Sequence, residues 1–217
     1  IDREQAKTIN LGLFYGMGKA KLQAELELET QKEAEKLFDT YHENVPFVKA
    51  LMESTTSDAA KNGYIRTLGE RQCNFPKWEI NEFRRGKLST TGTRIEMEEL
   101  YLKRYKEKFP EATEEKIDLI KKELKKDDQK LVKRAFTYKA LNKLIQGSAA
   151  DMTKKAMLDL YKKGIVAHIQ IHDELDISVE SDEKAEKIIE IMRNAVKLKV
   201  PNKVDYESGE TWGNIYD

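Results

Sequence analysis

Between residues 165 and 180 the sequence alternates. Ile165, Ala167, Ile169 and Ile171 interleave with Val166, His168, Gln170 and His172; after His172-Asp173-Glu174, Leu175, Ile177 and Val179 interleave with Asp176, Ser178 and Glu180. Successive side chains of a strand point to opposite faces, so two such runs joined by a short link specify an antiparallel hairpin. One face should be apolar and one mostly polar, with two carboxylates at the tip. A helix over 182–198 is expected to cover the apolar face, and a short strand near 203–207 to extend the sheet.

The rest of the chain is mostly helical in pattern, which sets the class as α+β. Residues 3–60 hold almost no Gly or Pro after Gly18 and are rich in strong helix formers. Pro46 breaks this segment and restarts a helix over 46–61, closed by Asn62-Gly63. Residues 64–68 read as a short strand turning at Gly69; 77–94, with Gly86, Gly92 and Ser89-Thr90-Thr91, read as a loop. A Lys/Glu-rich helical pair broken at Pro110 spans 95–131, and a long helix runs from about 133 to Gly164.

The 217 residues suffice for one good core or two small ones. No run of 18 apolar residues is present, and the N-terminal residues carry no secretory pattern. The single cysteine, Cys73, cannot form an internal disulfide and suits a reducing compartment. Lys+Arg and Asp+Glu balance at 39 each, which on its face argues against a polyanionic partner. The balance is an average, because the charge is segregated. Residues 120–163 carry thirteen bases and five acids, net +8, whereas 23–60 and 173–217 are each net −6. A basic block between acidic flanks can present a positive stripe to a phosphate backbone, or simply a solvated helix face.

Three constellations could carry chemistry. Arg3, Lys7, Leu11 and Tyr15 lie four apart and form one slanted row on a helix. Arg as a fork and Lys as a point charge suit a chain of phosphates, with apolar and aromatic groups left for a base or sugar. Gly12 and Gly16 thin the helix beside them. The same row also reads as the basic start of an amphipathic helix with Leu and Tyr in the core. Second, Asp173 and Glu174 at a tight turn are candidate ligands for a hard divalent cation, though Asp-Glu turns are commonly just solvated. Third, Asn142 and Gln146, one turn apart, could read minor-groove acceptors or serve as ordinary capping amides.

Taken in order, these sites resemble the family A DNA polymerases, of the DNA polymerase I type. Arg-Glu-Gln-Ala-Lys-Thr-Ile-Asn-Leu-Gly-Leu-Phe-Tyr-Gly (3–16) is similar to the family's fingers-helix motif, Arg-x3-Lys-x3-aromatic-Gly-x2-Tyr-Gly. Ala-Leu-Asn-Lys-Leu-Ile-Gln-Gly-Ser-Ala-Ala-Asp (140–151) resembles its palm helix, and Ile-Gln-Ile-His-Asp-Glu-Leu (169–175) its His-Asp-Glu hairpin. Gly-Tyr-Ile-Arg-Thr-Leu-Gly-Glu-Arg (63–71) and Ser-Gly-Glu-Thr-Trp-Gly (208–213) also fit; only about 77–136 falls outside.

The resemblance implies an incomplete polymerase hand: distal fingers helices over 1–62 and the C-terminal part of the palm over 63–217, with 77–136 as a family-variable insert. It implies that Arg3 and Lys7 hold the incoming triphosphate, that Leu11 lies near the sugar, and that Tyr15 stacks near the templating base. Asn142 and Gln146 would contact the primer-template minor groove and His172 the primer end. Asp173 would ligate Mg²⁺ in a two-metal site, with Glu174 in support and Lys7 and His172 at the reacting centre. Leu11 departs from the family's usual Phe or Tyr, a variant of viral and some organellar relatives, and implies altered rate or selectivity. Tyr138 stands where an Arg contact to DNA is usual, leaving Lys139 and Arg134 to substitute.

The family's other catalytic aspartate lies in a strand upstream of the fingers helix, and this sequence starts at Ile1 within the fingers. The expected function is therefore template-dependent nucleotidyl transfer in a cytoplasmic, viral and split polymerase. An N-terminal chain would supply the first aspartate, and the isolated chain would be inactive. The alternatives are a catalytically idle DNA-binding or assembly module that keeps the fold, or a fragment with no separate existence.

Overall fold

The computed structural model describes residues 3–15, 17–81 and 90–211. Gly16, the heart of the expected 77–94 loop with Gly86 and Ser89, and the end of the 208–213 motif lie outside the described residues. The chain forms two compact units: Ile1–Arg66 with Gln72–Leu144, and Thr67–Arg71 with Ile145–Asp217.

The first unit opens with α1 (Arg3–Phe14), α2 (Lys19–Glu25), α3 (Gln31–Asn44) and α4 (Pro46–Asn62). The helical stretch expected before Pro46 is thus in three pieces. Gly18 is extended at φ −82°, ψ 162° and opens α2, and Glu27 at φ 51° turns the chain away after it. Thr30 then starts α3 by accepting from the Glu33 N–H at 3.3 Å. The breaks fold α1, α2 and α3 onto one cluster: Ile9, Leu13 and Leu22, with Leu26, Leu37, Phe38 and Tyr41 packed against them. Full burial of Leu13 and Leu22 contributes about 1.5–3 kcal/mol each. Pro46 stands at the start of α4, where its missing N–H costs nothing, and Gly63 closes that helix at φ +80°.

Strands β1 (Tyr64–Arg66) and β2 (Gln72–Asn74) pair antiparallel with Ile65 opposite Cys73. Ile65 joins Ala59, Phe75 and Ala140 in a second core cluster. The stretch expected to be a loop begins instead with β3 (Trp78–Ile80), followed by β4 (Thr91–Gly92), α5 (Arg94–Lys108), α6 (Glu114–Leu124) and β5 (Val132–Arg134). The sheet order is β4-β3-β5, antiparallel throughout, with Trp78 opposite Gly92 on one side and Arg134 on the other. The expected helix from 133 therefore starts later: Val132–Arg134 is drawn into the sheet, and a 3-10 turn, Thr137–Lys139, precedes α7 (Ala140–Tyr161). The helical pair broken at Pro110 is present as α5 and α6. Thr93 and Glu96 form a reciprocal capping box at the start of α5, and Trp78, Met97, Leu124 and Val132 give the segment its own core.

The second unit holds the Thr67–Arg71 loop, the greater part of α7, β6 (Ile169–Ile171), β7 (Glu174–Asp176) and α8 (Asp182–Asn194). Gly164 at φ +75° ends the turn after α7. The hairpin is present, but its faces differ from expectation. A two-residue loop, His172-Asp173, sets Ile171 opposite Glu174, Gln170 opposite Leu175 and Ile169 opposite Asp176. Odd residues therefore pair with even ones, so Ile169 and Ile171 share a face with carboxylates while Leu175 lies on the other. Ile169 and Ile171 remain 41% and 37% exposed, and α8 buries Ala185 and Ile188. The expected continuous apolar face does not form, and residues 201–209 carry no strand.

Candidate active site

In the first unit, α1 segregates its side chains by face. Ile9 and Leu13 are 7% and 1% exposed, whereas Leu11 is 45% exposed and Arg3 and Lys7 are exposed beside it. Tyr15 is half-buried, and its N–H donates to the Leu11 carbonyl at 3.0 Å, carrying the helical turn through to it. Leu11 is thus not a core residue. The face offers two cations, an aliphatic side chain and a phenol to whatever lies outside. A Cβ on Gly12 would meet the tip of the Met17 side chain, which would have to move aside.

The start of α7 brings Arg134, Lys139 and Asn142 into the same unit. Asn142 is half-buried, and its side-chain amide makes no hydrogen bond among the described residues. Lys139 is exposed, its ammonium 5.3 Å from the Phe136 ring centre and 5.7 Å from that of Tyr138. Arg134, expected at the DNA, is half-buried and engaged by the fold. Its Nε donates to the Ala60 carbonyl at 3.1 Å and an Nη to Phe75 at 3.2 Å, and its guanidinium lies 4.6 Å from the Trp78 ring centre. Burial, with the charge of Arg94 acting the same way, pushes its pKa down. Arg94 lies 4.9 Å from the same ring, and its hydrogen bonds to Asp127 and Glu98 outweigh burial and raise its pKa. Arg134 thus ties α4, β2 and the sheet together.

In the second unit, Gln146 is exposed on α7, and His172, Asp173 and Glu174 are exposed at the hairpin tip. His172 adopts φ 53°, a left-handed conformation in the tight loop, and its carbonyl accepts from the Gln170 side chain. Asp173 is an open hard-oxygen donor. Among the described residues no group of three or more His, Cys, Asp or Glu stands ready to hold a metal ion, so the tip fits one share of such a site and not a whole one.

A cluster that residue patterning did not single out sits beside Gln146. Asp151 on α7 accepts from the Thr67 hydroxyl and from Arg71 Nε, the latter at 2.8 Å. Arg71 also donates to the Gly147 carbonyl at 3.0 Å, and the Leu68 N–H donates to Ser148 Oγ at 2.9 Å. Burial pushes the Asp151 carboxyl up, but the hydrogen bonds from Thr67 and Arg71, the Arg71 charge and the Gly69 N–H outweigh it and hold the group below its usual range. A Cβ on Gly69 would stand 3.0 Å from an Asp151 oxygen, so only glycine gives this approach freely. The signal was present in the two strings 63–71 and 140–151, but nothing in either shows that they meet.

Comparison with known proteins bears on these arrangements. A "DNA-directed DNA polymerase" of Pseudomonas phage M6 is 30% identical over 247 residues, covering 99% of this chain and 30% of the phage protein. DNA polymerase I of Bacillus subtilis is 33% identical over 220 residues, covering 97% of this chain and 19% of its own length. The chain thus spans less than a third of either relative. Among solved structures, the POL domain of Pol1 from M. smegmatis, in complex with DNA primer-template and dNTP, superposes with a TM-score of 0.66 at 23% identity. That match covers 99% of this chain and 31% of the other, and supports the α+β fold read from the hairpin and helices. The family profile of DNA polymerase family A matches residues 1–214, through the helix row, the α7 amides and the hairpin tip alike, and so the chain belongs to that family.

Proposed function

We propose that this chain supplies the distal fingers, 1–62, and the C-terminal palm, 63–217 with 77–136 as a variable insert, of a template-directed DNA polymerase acting in the cytoplasm. The observation that carries the reading is Leu11, 45% exposed between buried Ile9 and Leu13. A basic start to an ordinary amphipathic helix would bury Leu11; a nucleotide-facing row leaves it open with Arg3 and Lys7. In this reading Arg3 and Lys7 bind the triphosphate of the incoming nucleotide, Leu11 packs by its sugar and Tyr15 lies near the templating base. Asn142 and Gln146 face the minor groove of the primer-template, Lys139 a backbone phosphate, and His172 the primer end.

Asp173 is the metal ligand and Glu174 its neighbour in support. Bound there, Mg²⁺ supplies positive charge to the attacking and leaving oxygens of nucleotidyl transfer. The family's other metal-bridging aspartate comes from polypeptide outside these 217 residues, either continuous with them or associating as a separate chain. The test is primer extension in Mg²⁺. The 217-residue chain alone yields no product, and it yields product once the complementary portion of the polymerase is supplied. In that complete enzyme Asp173→Ala brings extension below detection while primer-template affinity stays close to that of the unaltered protein. Extension by the isolated chain, or by the complete Asp173→Ala enzyme, would refute the assignment. An idle DNA-binding module would bind DNA and never extend it.

A further inference from the structure

Gln146 leaves α7 at a point where that helix is intrinsically weak. The two residues after it are Gly147, with no side chain to restrict the backbone, and Ser148, whose hydroxyl competes for backbone hydrogen bonds. The helix nonetheless runs unbroken from Ala140 to Tyr161. Support at this turn comes from outside the helix, through the loop Thr67–Arg71 of the same unit. Arg71 donates from Nε to Asp151 at 2.8 Å and from an Nη to the Gly147 carbonyl at 3.0 Å, so one planar guanidinium bridges two acceptors a helical turn apart. The Leu68 N–H donates to Ser148 Oγ at 2.9 Å, and the Thr67 hydroxyl donates to Asp151.

The loop that makes these contacts is itself braced. The Thr67 N–H donates to the Arg71 carbonyl at 3.0 Å, the Glu70 N–H to the Thr67 carbonyl at 2.9 Å, and the Arg71 N–H to the Thr67 hydroxyl at 3.1 Å. Thr67 is 3% exposed, and Glu70 holds the left-handed φ of 60° that closes the turn. The Arg71 charge is answered by Asp151, whose side chain is 13% exposed. A guanidinium committed to a carboxylate and a carbonyl is placed to hold the helix, not to recruit a phosphate.

We propose that Arg71 and Asp151 are positioning residues for Gln146. The clamp they form fixes the turn of α7 from which Gln146 reaches the minor groove of the primer-template, and neither residue touches the DNA. This rests on the polymerase reading above and deepens it by naming what aims the amide.

The test titrates a fluorescent primer-template duplex with the whole chain at several salt concentrations, with circular dichroism showing each variant folded at the titration temperature. Gln146→Ala weakens binding by about 5- to 10-fold, as loss of one well-made hydrogen bond would. Arg71→Ala and Asp151→Asn weaken it by a similar factor and leave the slope of log K against log salt unchanged. In the Gln146→Ala background, Arg71→Ala costs less than about twofold more, because the group it aims is gone. Arg71→Lys keeps a charge for Asp151 but cannot hold both acceptors; it shows a smaller loss that also vanishes in that background, and it decides the matter if Arg71→Ala does not fold. Losses that multiply in the double variant, or unchanged binding by both Arg71 variants, would overturn the positioning role. A slope lowered by about 0.9 in Arg71→Ala would overturn it too, by making Arg71 a phosphate contact. In each of these cases the polymerase reading stands as long as Gln146→Ala weakens binding. Unchanged duplex binding by Gln146→Ala overturns the groove role of the amide and the clamp's purpose with it.

Discussion

At the scale of single residues, the Thr67-Arg71-Asp151 cluster holds a carboxylate in a structural role. Asp151 accepts from a hydroxyl and a guanidinium while Arg71 and Leu68 engage Gly147 and Ser148, so the helical turn after Gln146 is tied down on three residues. The Asp151 side chain is 13% exposed and Arg71 46%, so the charge is partly screened and a charge-assisted bond here contributes about 1–2 kcal/mol. Because the folded pKa lies below the unfolded one, the ionised cluster stabilises the fold above the usual Asp value of 3.8 and loses that contribution as pH falls through the folded value. Asp151→Asn should therefore melt below the unaltered chain at neutral pH, with a gap that narrows once pH drops beneath the ordinary Asp range. Thermal melts followed by circular dichroism across this range check it, and a gap constant down to strong acid would show that the carboxylate charge contributes nothing.

At the scale of elements, the end of α4 meets the end of β5. Gly63 closes α4 at φ +80°, and a Cβ there would stand 2.7 Å from the centre of the Arg134 guanidinium. Two separate penalties thus attach to Gly63→Ala: a left-handed non-glycine residue, about 1–3 kcal/mol, and displacement of Arg134 from the Ala60 and Phe75 carbonyls. Urea denaturation of Gly63→Ala, Arg134→Ala and the double variant separates them. The glycine substitution should cost less when Arg134 is already absent, with a coupling of at least about 0.5 kcal/mol; strict additivity would mean that the guanidinium simply moves aside. The closure of α4 was legible in the sequence because Pro46 and Asn62-Gly63 act through local backbone chemistry. The α5 and α6 pair was legible for the same reason, through Pro110 and helix-forming composition. Strands β3 and β5 were not: each is three residues long, and Val132–Arg134 sits in a Lys-rich run of helical character that only pairing with Trp78–Ile80, far away in sequence, turns into strand. The hairpin's existence was legible from alternation, but its faces were not, because they depend on the parity of the loop. Within the candidate site, the exposed α1 row and the tip carboxylates follow from residue spacing and turn chemistry. The inward turn of Arg134 and the Asp151 cluster depend on long-range contacts that no local pattern encodes.

At the scale of the whole molecule, the hairpin bears directly on how the chain works. Within the second unit, β6 and β7 form a separate two-stranded sheet, three residues to each strand, with Ile169 and Ile171 substantially exposed. Two strands of this length are marginal by themselves, so their amides should open at little free-energy cost. The middle of α7, where Ala156 and Leu160 are 5% and 0% exposed, should open far less readily and gives an internal reference. The chain also spans only 30% or less of its two polymerase relatives described above, and the proposed function places a second catalytic aspartate on polypeptide beyond it. Joining that polypeptide should cover the isoleucines and order the carboxylate tip. Hydrogen exchange read by mass spectrometry should then find the amides of 169–176 exchanging rapidly in the isolated chain. They should slow at least about tenfold, 1.4 kcal/mol of added protection, when the complementary polymerase portion and primer-template are present, with the α7 reference unchanged. Hairpin amides already as slow as those of α7 in the isolated chain would mean that Asp173 is held without help. No slowing on assembly would mean that the tip meets nothing in the completed enzyme, and the metal role of Asp173 would fall with it.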